Sequence, residues 1–146
     1  MKRSEALKPL SREHHQALYT AKVVRDQEGE GDSRQRLLAF WREEAVVHFR
    51  IEEEVLLPGS GLKGPDQDEG VARMLTDHLE LRRMFGRIQT GEVSPDELVE
   101  FAERLVAHVR FEERDLFPRI ESEMSEDQLR ALEDAIQEAE EEARGI

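Results

Sequence analysis

The sequence has no cysteine. That removes disulfides, thiolate metal sites, iron–sulfur clusters and a cysteine nucleophile in one step. Aromatic residues make up only 5% of the 146 residues, with one Trp and one Tyr, so no aromatic platform for stacking bases is expected. Positive charge is also scarce. Lys+Arg number 21 against 34 Asp+Glu, a net charge of -13. Phosphate backbones and anionic membrane surfaces need a basic footprint, so neither nucleic acid nor membrane is an expected partner. No apolar run approaches membrane-spanning length, and the opening MKRSEALKPL lacks the apolar core of a secretory leader. The expectation is a soluble, cytoplasmic protein with one domain over residues 1–146.

What is present is helical periodicity. Ser11 is placed to cap a first helix running to about Glu28, stopped by Gly29 and Gly31. Asp32 with Gln35 resembles a capping box, opening a second helix to about Leu57, where Pro58 ends it. A third helix is expected from Asp66 to Gln89, closed by Gly91. Ser94-Pro95-Asp96-Glu97 starts a fourth, running to about Phe117, where Pro118 ends or kinks it. Ser125 and Gln128 open a fifth, with Leu129, Leu132 and Ile136 as a narrow apolar stripe; the alternative for that segment is a solvated charged tail. No stretch alternates apolar and polar residues with period two, so no strand is expected. The fold class is all-α: an up-down-up-down four-helix bundle over about residues 10–120, with an additional C-terminal helix over about 125–143.

Two segments repeat at an offset of 60 residues, from His48 to His108 and from Glu52 to Glu112. Both read His-x-Arg-x-Glu-Glu and lead to an apolar residue and a proline, Leu57-Pro58 and Phe117-Pro118. A fainter echo links Glu13-His14 to Asp77-His78.

All five histidines fall on the four bundle helices. Residues at i, i+3, i+4 and i+7 share a helix face. By that rule His14 lies in the stripe of Leu10, Ala17 and Ala21, and His48 with Glu52 in that of Trp41, Ala45 and Val55. His78 lies among Met74, Leu81 and Phe85, and His108 with Glu112 among Phe101, Leu105 and Phe111. These polar groups occupy core-facing positions. Their levels match as well. The midpoint of His14 and His48 is position 31, and that of His78 and His108 is position 93; both fall in turns.

An ionised carboxylate inside a bundle costs several kcal/mol even after relaxation. Two Glu and four His could share protons or pair as ions, leaving a metal-free polar core. A metal resolves the cost more simply, because it takes neutral imidazole and ionised carboxylate together. Six donors exceed the four of a tetrahedral zinc and suit two metals bridged by the carboxylates. Two divalent ions against two carboxylates leave room for a bridging hydroxide or oxide. Mixed imidazole and carboxylate ligation suits iron, with manganese or zinc as alternatives.

At Glu13-His14, His48 to Glu52, His78, and His108 to Glu112, the sequence resembles the hemerythrin-like family, the HHE cation-binding domain, over about residues 10–120. The resemblance implies a four-helix bundle holding a non-haem di-iron centre that binds O₂ or related small oxidants. It implies His14, His48, His78 and His108 as terminal ligands and Glu52 and Glu112 as bridges. There are two departures. Oxygen-carrying members have a further histidine four residues after that of the third helix, where this chain has Arg82, and they end on Asp at i+5 where this chain has Glu112 at i+4. The pattern looks more like the broader HHE branch than the reversible carriers. Arg82 is left with three roles: opening a coordination position, bonding an anionic ligand, or pointing to solvent.

Other residues carry bland expectations. His15 is turned about 100° from His14 and reads as a surface or outer residue, with replacement of His14 as ligand the alternative. Glu44 and Arg104, one turn before His48 and His108, either flank the core or pair across the bundle. Glu53 and Glu113 are expected to be solvated, with approach of either to a metal the alternative, and Tyr19 falls on a side face. The functional expectation is a protein that binds, senses or detoxifies O₂, peroxide or nitric oxide. The alternative is a metal-responsive structural or regulatory module without turnover. Ferritin-like Glu-x-x-His spacing and the zinc protease motif are both absent from the sequence.

Overall fold

The computed structural model describes residues 2–145. Five long helical segments account for it, and no strand occurs among the described residues. Helix α1 is Lys8–Asp26. Helix α2 covers residues 33–59, α3 is Glu69–Thr90, α4 covers residues 95–123, and α5 is Glu126–Arg144. Helices α1 to α4 form the up-down-up-down bundle. α1 packs on α2 and α4, and α3 packs on the same two, while α5 lies along α2.

The ends follow from local chemistry, not always as expected. Ser94 and Ser125 make complete capping boxes with Glu97 and Gln128. Asp68 caps α3 by accepting from the Val71 N–H, and Gly91 closes it at φ 82. Helix α1 begins at Lys8 with Pro9 in its first turn, so Ser11 lies inside the helix and not at its cap. Asp32 precedes α2 without a capping bond; its carboxylate meets Arg36 at 3.0 Å instead. The turn is closed by Ser33, whose hydroxyl donates to the Glu30 carbonyl and to Gln27. Gly29 has φ +74, and a Cβ there would sit 2.2 Å from the Pro95 carbonyl oxygen. Only glycine lets this turn press against the start of α4.

Neither proline stops its helix at once. Pro58 lies inside the last turn of α2, and α4 runs through Pro118 to Glu123. A widened π turn precedes each, Glu52–Leu56 and Glu112–Leu116. In these turns the Leu57 and Phe117 N–H groups reach back to the carbonyls of Glu52 and Glu112. A proline cannot donate to the carbonyl four residues back, and its ring collides with it; one extra residue in the preceding turn relieves both problems. Both widened turns begin at the glutamates of the repeat.

Two apolar layers fill the interior. One joins Ala17, Ala21, Leu37, Phe49, Leu81, Phe85, Phe101 and Leu105, with Trp41 stacked on Phe85 at 4.4 Å. The other joins Leu10, Leu56, Met74, Leu116, Phe117 and Ile120. Leu132 and Ile136 of α5 belong to the second layer, so this helix is docked on the bundle and is not a solvated tail. On α1 the order is Leu10, His14, Ala17, and on α3 it is Met74, His78, Leu81. The histidines therefore stand between the two layers.

Candidate metal centre

All six proposed donors are buried: His14, His48, His78 and His108 at 5% exposure or less, Glu52 and Glu112 at 0%. The level matching along each hairpin is realised. His14 and His48 rings lie 4.8 Å apart, and so do those of His78 and His108. The two glutamates lie between the pairs. His48 Nε2 and His78 Nε2 each stand 3.1 Å from a Glu52 oxygen. His14 Nε2 is 2.8 Å from Glu112, and His108 Nε2 is 3.4 Å from it.

Two overlapping groups could hold an ion: His14, His48, Glu52 and Glu112, and Glu52, His78, His108 and Glu112. In each, one donor atom per residue lies within 4.8 Å of every other. The two carboxylates belong to both groups. Their hydrogen bonding suits a cation. Among the described residues, His48 Nε2, both Glu52 oxygens and Glu112 Oε2 are buried without a hydrogen-bond partner. Some of these atoms are within 3.1 Å of one another, yet the approach is not directed as a hydrogen bond. Orphaned buried groups of this kind are costly, and a coordinated ion satisfies all of them together. The residues present therefore fit a metal.

The other nitrogen of each of these four histidines is occupied. His14 Nδ1 donates to Glu113 at 2.6 Å, His48 Nδ1 to Glu13 at 2.7 Å, and His78 Nδ1 to Glu53 at 2.6 Å. His108 Nδ1 donates to Asp77 at 3.0 Å. A carboxylate can only accept, so it places the proton on Nδ1 and leaves Nε2 to face the centre. Glu53 and Glu113 are thus not simply solvated, contrary to expectation. Glu13 and Asp77 were visible in the sequence only as neighbours of His14 and His78. A residue next to an inward ligand sits about 100° around the helix and so faces the adjoining helix, where it serves the histidine there.

Without metal the cluster draws protons. At His14, His48 and His78 burial opposes charge on the imidazole, but the carboxylates outweigh it. His48, facing Glu52 and Glu13, and His78, facing Glu52 and Glu53, are both raised to about 9. His14 is raised well above its ordinary value by Glu112, Glu113 and Glu52. Glu112 is pushed up by burial and by the charge of Glu52. Glu52 is held well down against burial by the three imidazoles around it. Glu113 falls to about 2, burial being outweighed by His14 and Ser11.

The remaining expectations divide. His15 is exposed and takes no part, and Tyr19 is 59% exposed. Glu44 and Arg104 do not pair; Arg104 lies near Glu80 and Glu100 at the surface. Arg82 turns away from the donors and grips Glu53 at 2.9 and 3.2 Å, with its guanidinium 5.7 Å from the Phe49 ring centre. A cavity of about 10 Å³ adjoins His14, His48 and His108, walled by Ala17, Ala45, Phe40, Phe49, Leu105 and Val109. That is room for one water-sized molecule.

No helix among the described residues is long and apolar enough to cross a membrane. No curated protein and no solved structure matches the chain. Residues 5–120 match the family described as the hemerythrin HHE cation binding domain. Within that match four imidazoles and two carboxylates form two groups that could hold a metal ion, and the chain belongs to the hemerythrin HHE cation-binding domain family.

Proposed function

We propose that the chain holds two non-haem iron ions and uses them to bind, sense or detoxify O₂, peroxide or nitric oxide. His14 and His48 would hold one ion, His78 and His108 the other, with Glu52 and Glu112 bridging. The observation behind this reading is that two four-donor groups share the same two glutamates. One ion would engage the two imidazoles of one group and leave the other two without a metal.

A pair of ferrous ions held there would supply one electron each to a small oxidant. The chain supplies everything else. The four outer carboxylates fix the imidazole rings and their Nδ1 protons. Phe49 stacks on His78 at 4.0 Å and Phe117 on His14 at 5.3 Å, which restrict both rings and exclude water. The small cavity beside His14, His48 and His108, with room for one water-sized molecule, is the space nearest the centre for a small ligand.

The test is anaerobic loading with ferrous iron followed by exposure to each oxidant. Two equivalents of bound iron and new near-ultraviolet bands on oxidation are expected. Substoichiometric metal without such bands would reject the reading. A metal-responsive module without turnover also draws on the orphaned oxygens of Glu52 and Glu112, because filling them couples metal to folding. Large thermal stabilisation by iron with no oxidant consumed would favour that reading.

A further inference from the structure

Behind each outer carboxylate stands an arginine. Arg82 grips Glu53, and Arg73 lies 3.6 Å from Asp77. Both sit on α3, the helix of His78, so the His78–His108 half is braced locally. The other half is braced from afar. Arg3 donates to the Glu113 carboxylate at 3.2 Å and to its carbonyl at 2.8 Å. Arg144 donates to Glu13 Oε2 at 2.9 Å, while Oε1 of the same carboxylate accepts from His48. Arg3 and Arg144 lie at the two ends of the chain, outside the residues 5–120 that match the family.

Each is tied down at several points. Arg144, the last residue of α5, also donates to Glu140 at 2.7 Å and to the Glu43 carbonyl inside the widened turn Trp41–Ala45 at 3.2 Å. It thereby joins α1, α2 and α5. Arg3 donates to Glu121 at 2.7 Å and lies 5.5 Å from the centre of the Phe117 ring, which stacks on His14. A carboxylate held at both oxygens has one orientation, and that orientation sets the plane and tautomer of its histidine. Glu13 would lose this if Arg144 left. It would then face the Glu140 carboxylate, whose Oε1 is buried without a partner.

We infer that Arg3 and Arg144 are positioning residues for the His14–His48 half of the centre, so that the hold on one ion depends on the docking of both chain ends, while the other ion's outer carboxylates are braced by two arginines of α3. The inference rests on the two-ion reading above. It predicts two classes of metal, distinguishable by which arginine is removed.

The test uses the full chain loaded with zinc, comparing Arg3→Ala, Arg144→Ala, Arg73→Ala and Arg82→Ala, with circular dichroism showing that each is folded. Release to a chelator is followed alongside nitrogen-15 spectra of the imidazoles. In Arg144→Ala and Arg3→Ala, one of two zinc equivalents should leave roughly 10-fold faster or more, the size seen when an outer partner is lost. Nδ1 proton exchange should rise at His48 in Arg144→Ala and at His14 in Arg3→Ala, with His78 and His108 unchanged. Arg144→Lys, which keeps the charge, should recover part of the effect. Equal acceleration of both equivalents, or exchange rising at all four histidines or at none, would overturn the inference. If the unsubstituted protein takes up a single equivalent, the two-ion reading falls, and the exchange rates at each histidine then decide this inference alone.

Discussion

Glu13 is bonded to His14 in the chain but serves His48, whose Nδ1 lies 2.7 Å from its carboxylate. Asp77 repeats the arrangement, reaching across from α3 to His108 on α4 and not to its neighbour His78. Each bundle helix thus carries one or two candidate donors for the centre and one carboxylate that braces a histidine on the helix beside it. Glu13→Gln and Asp77→Asn keep the shape and remove the charge. Each should weaken metal binding by about 10- to 100-fold without unfolding the protein. Competition with a chelator of known affinity measures it, and unchanged affinity in both would contradict the role assigned to the outer carboxylates.

The shared glutamates should behave differently. Glu52 lies between both histidine pairs, so Glu52→Ala should deplete both ions together, whereas His108→Ala should deplete mainly one. Metal analysis of the purified variants reads this directly. Full metal content in both variants would refute the six-donor assignment.

Stability of the metal-free protein should depend on pH with a definite sign. His48 and His78 bind protons up to about 9, against 6.5 for an ordinary imidazole. Their contribution is complete below pH 6.5 and is lost as pH rises through about 9. Metal requires deprotonated Nε2, so metal affinity should rise over the same interval. Thermal melting in chelator should therefore fall between pH 6.5 and 9, and the stabilisation added by metal should grow. A metal-free melting temperature that rises across this range would show that the imidazoles are not charged by their carboxylates.

Ala45 walls the small cavity. Ala45→Val adds two methyl groups to a space of about 10 Å³ and should close it. Overpacking of this size costs about 1–3 kcal/mol. Metal content should be retained while reaction with O₂ or nitric oxide slows. Undiminished rates would place ligand entry elsewhere.

Saturating metal should stabilise the folded state by mass action, by about 2.7 kcal/mol at a free concentration 100 times Kd. Denaturant unfolding with and without ferrous iron or zinc checks it. No shift in midpoint would mean that the buried donors do not bind these ions.

Much of this was legible in the chain. The capping residues Ser94 and Ser125, the glycine stops and the stripe spacing fixed four antiparallel helices and a fifth, because helix ends and faces are local properties. The six donors followed from the same periodicity, and their common level from counting outward from each turn. Three things were not legible. Pro58 and Pro118 read as terminators, because one-dimensional rules do not see that a widened turn can absorb a proline. Glu53 and Glu113 read as solvated, because a residue's partner on another helix is invisible to its own period. Arg3 and Arg144 could not be connected to His14 and His48, because that depends on where the chain ends return after the helices have packed. Sequence by itself determined which side chains face inward and at what height. Only the tertiary structure decided which carboxylate meets which imidazole, since that depends on the rotation and spacing of neighbouring helices, and these are set by the packing of the two apolar layers.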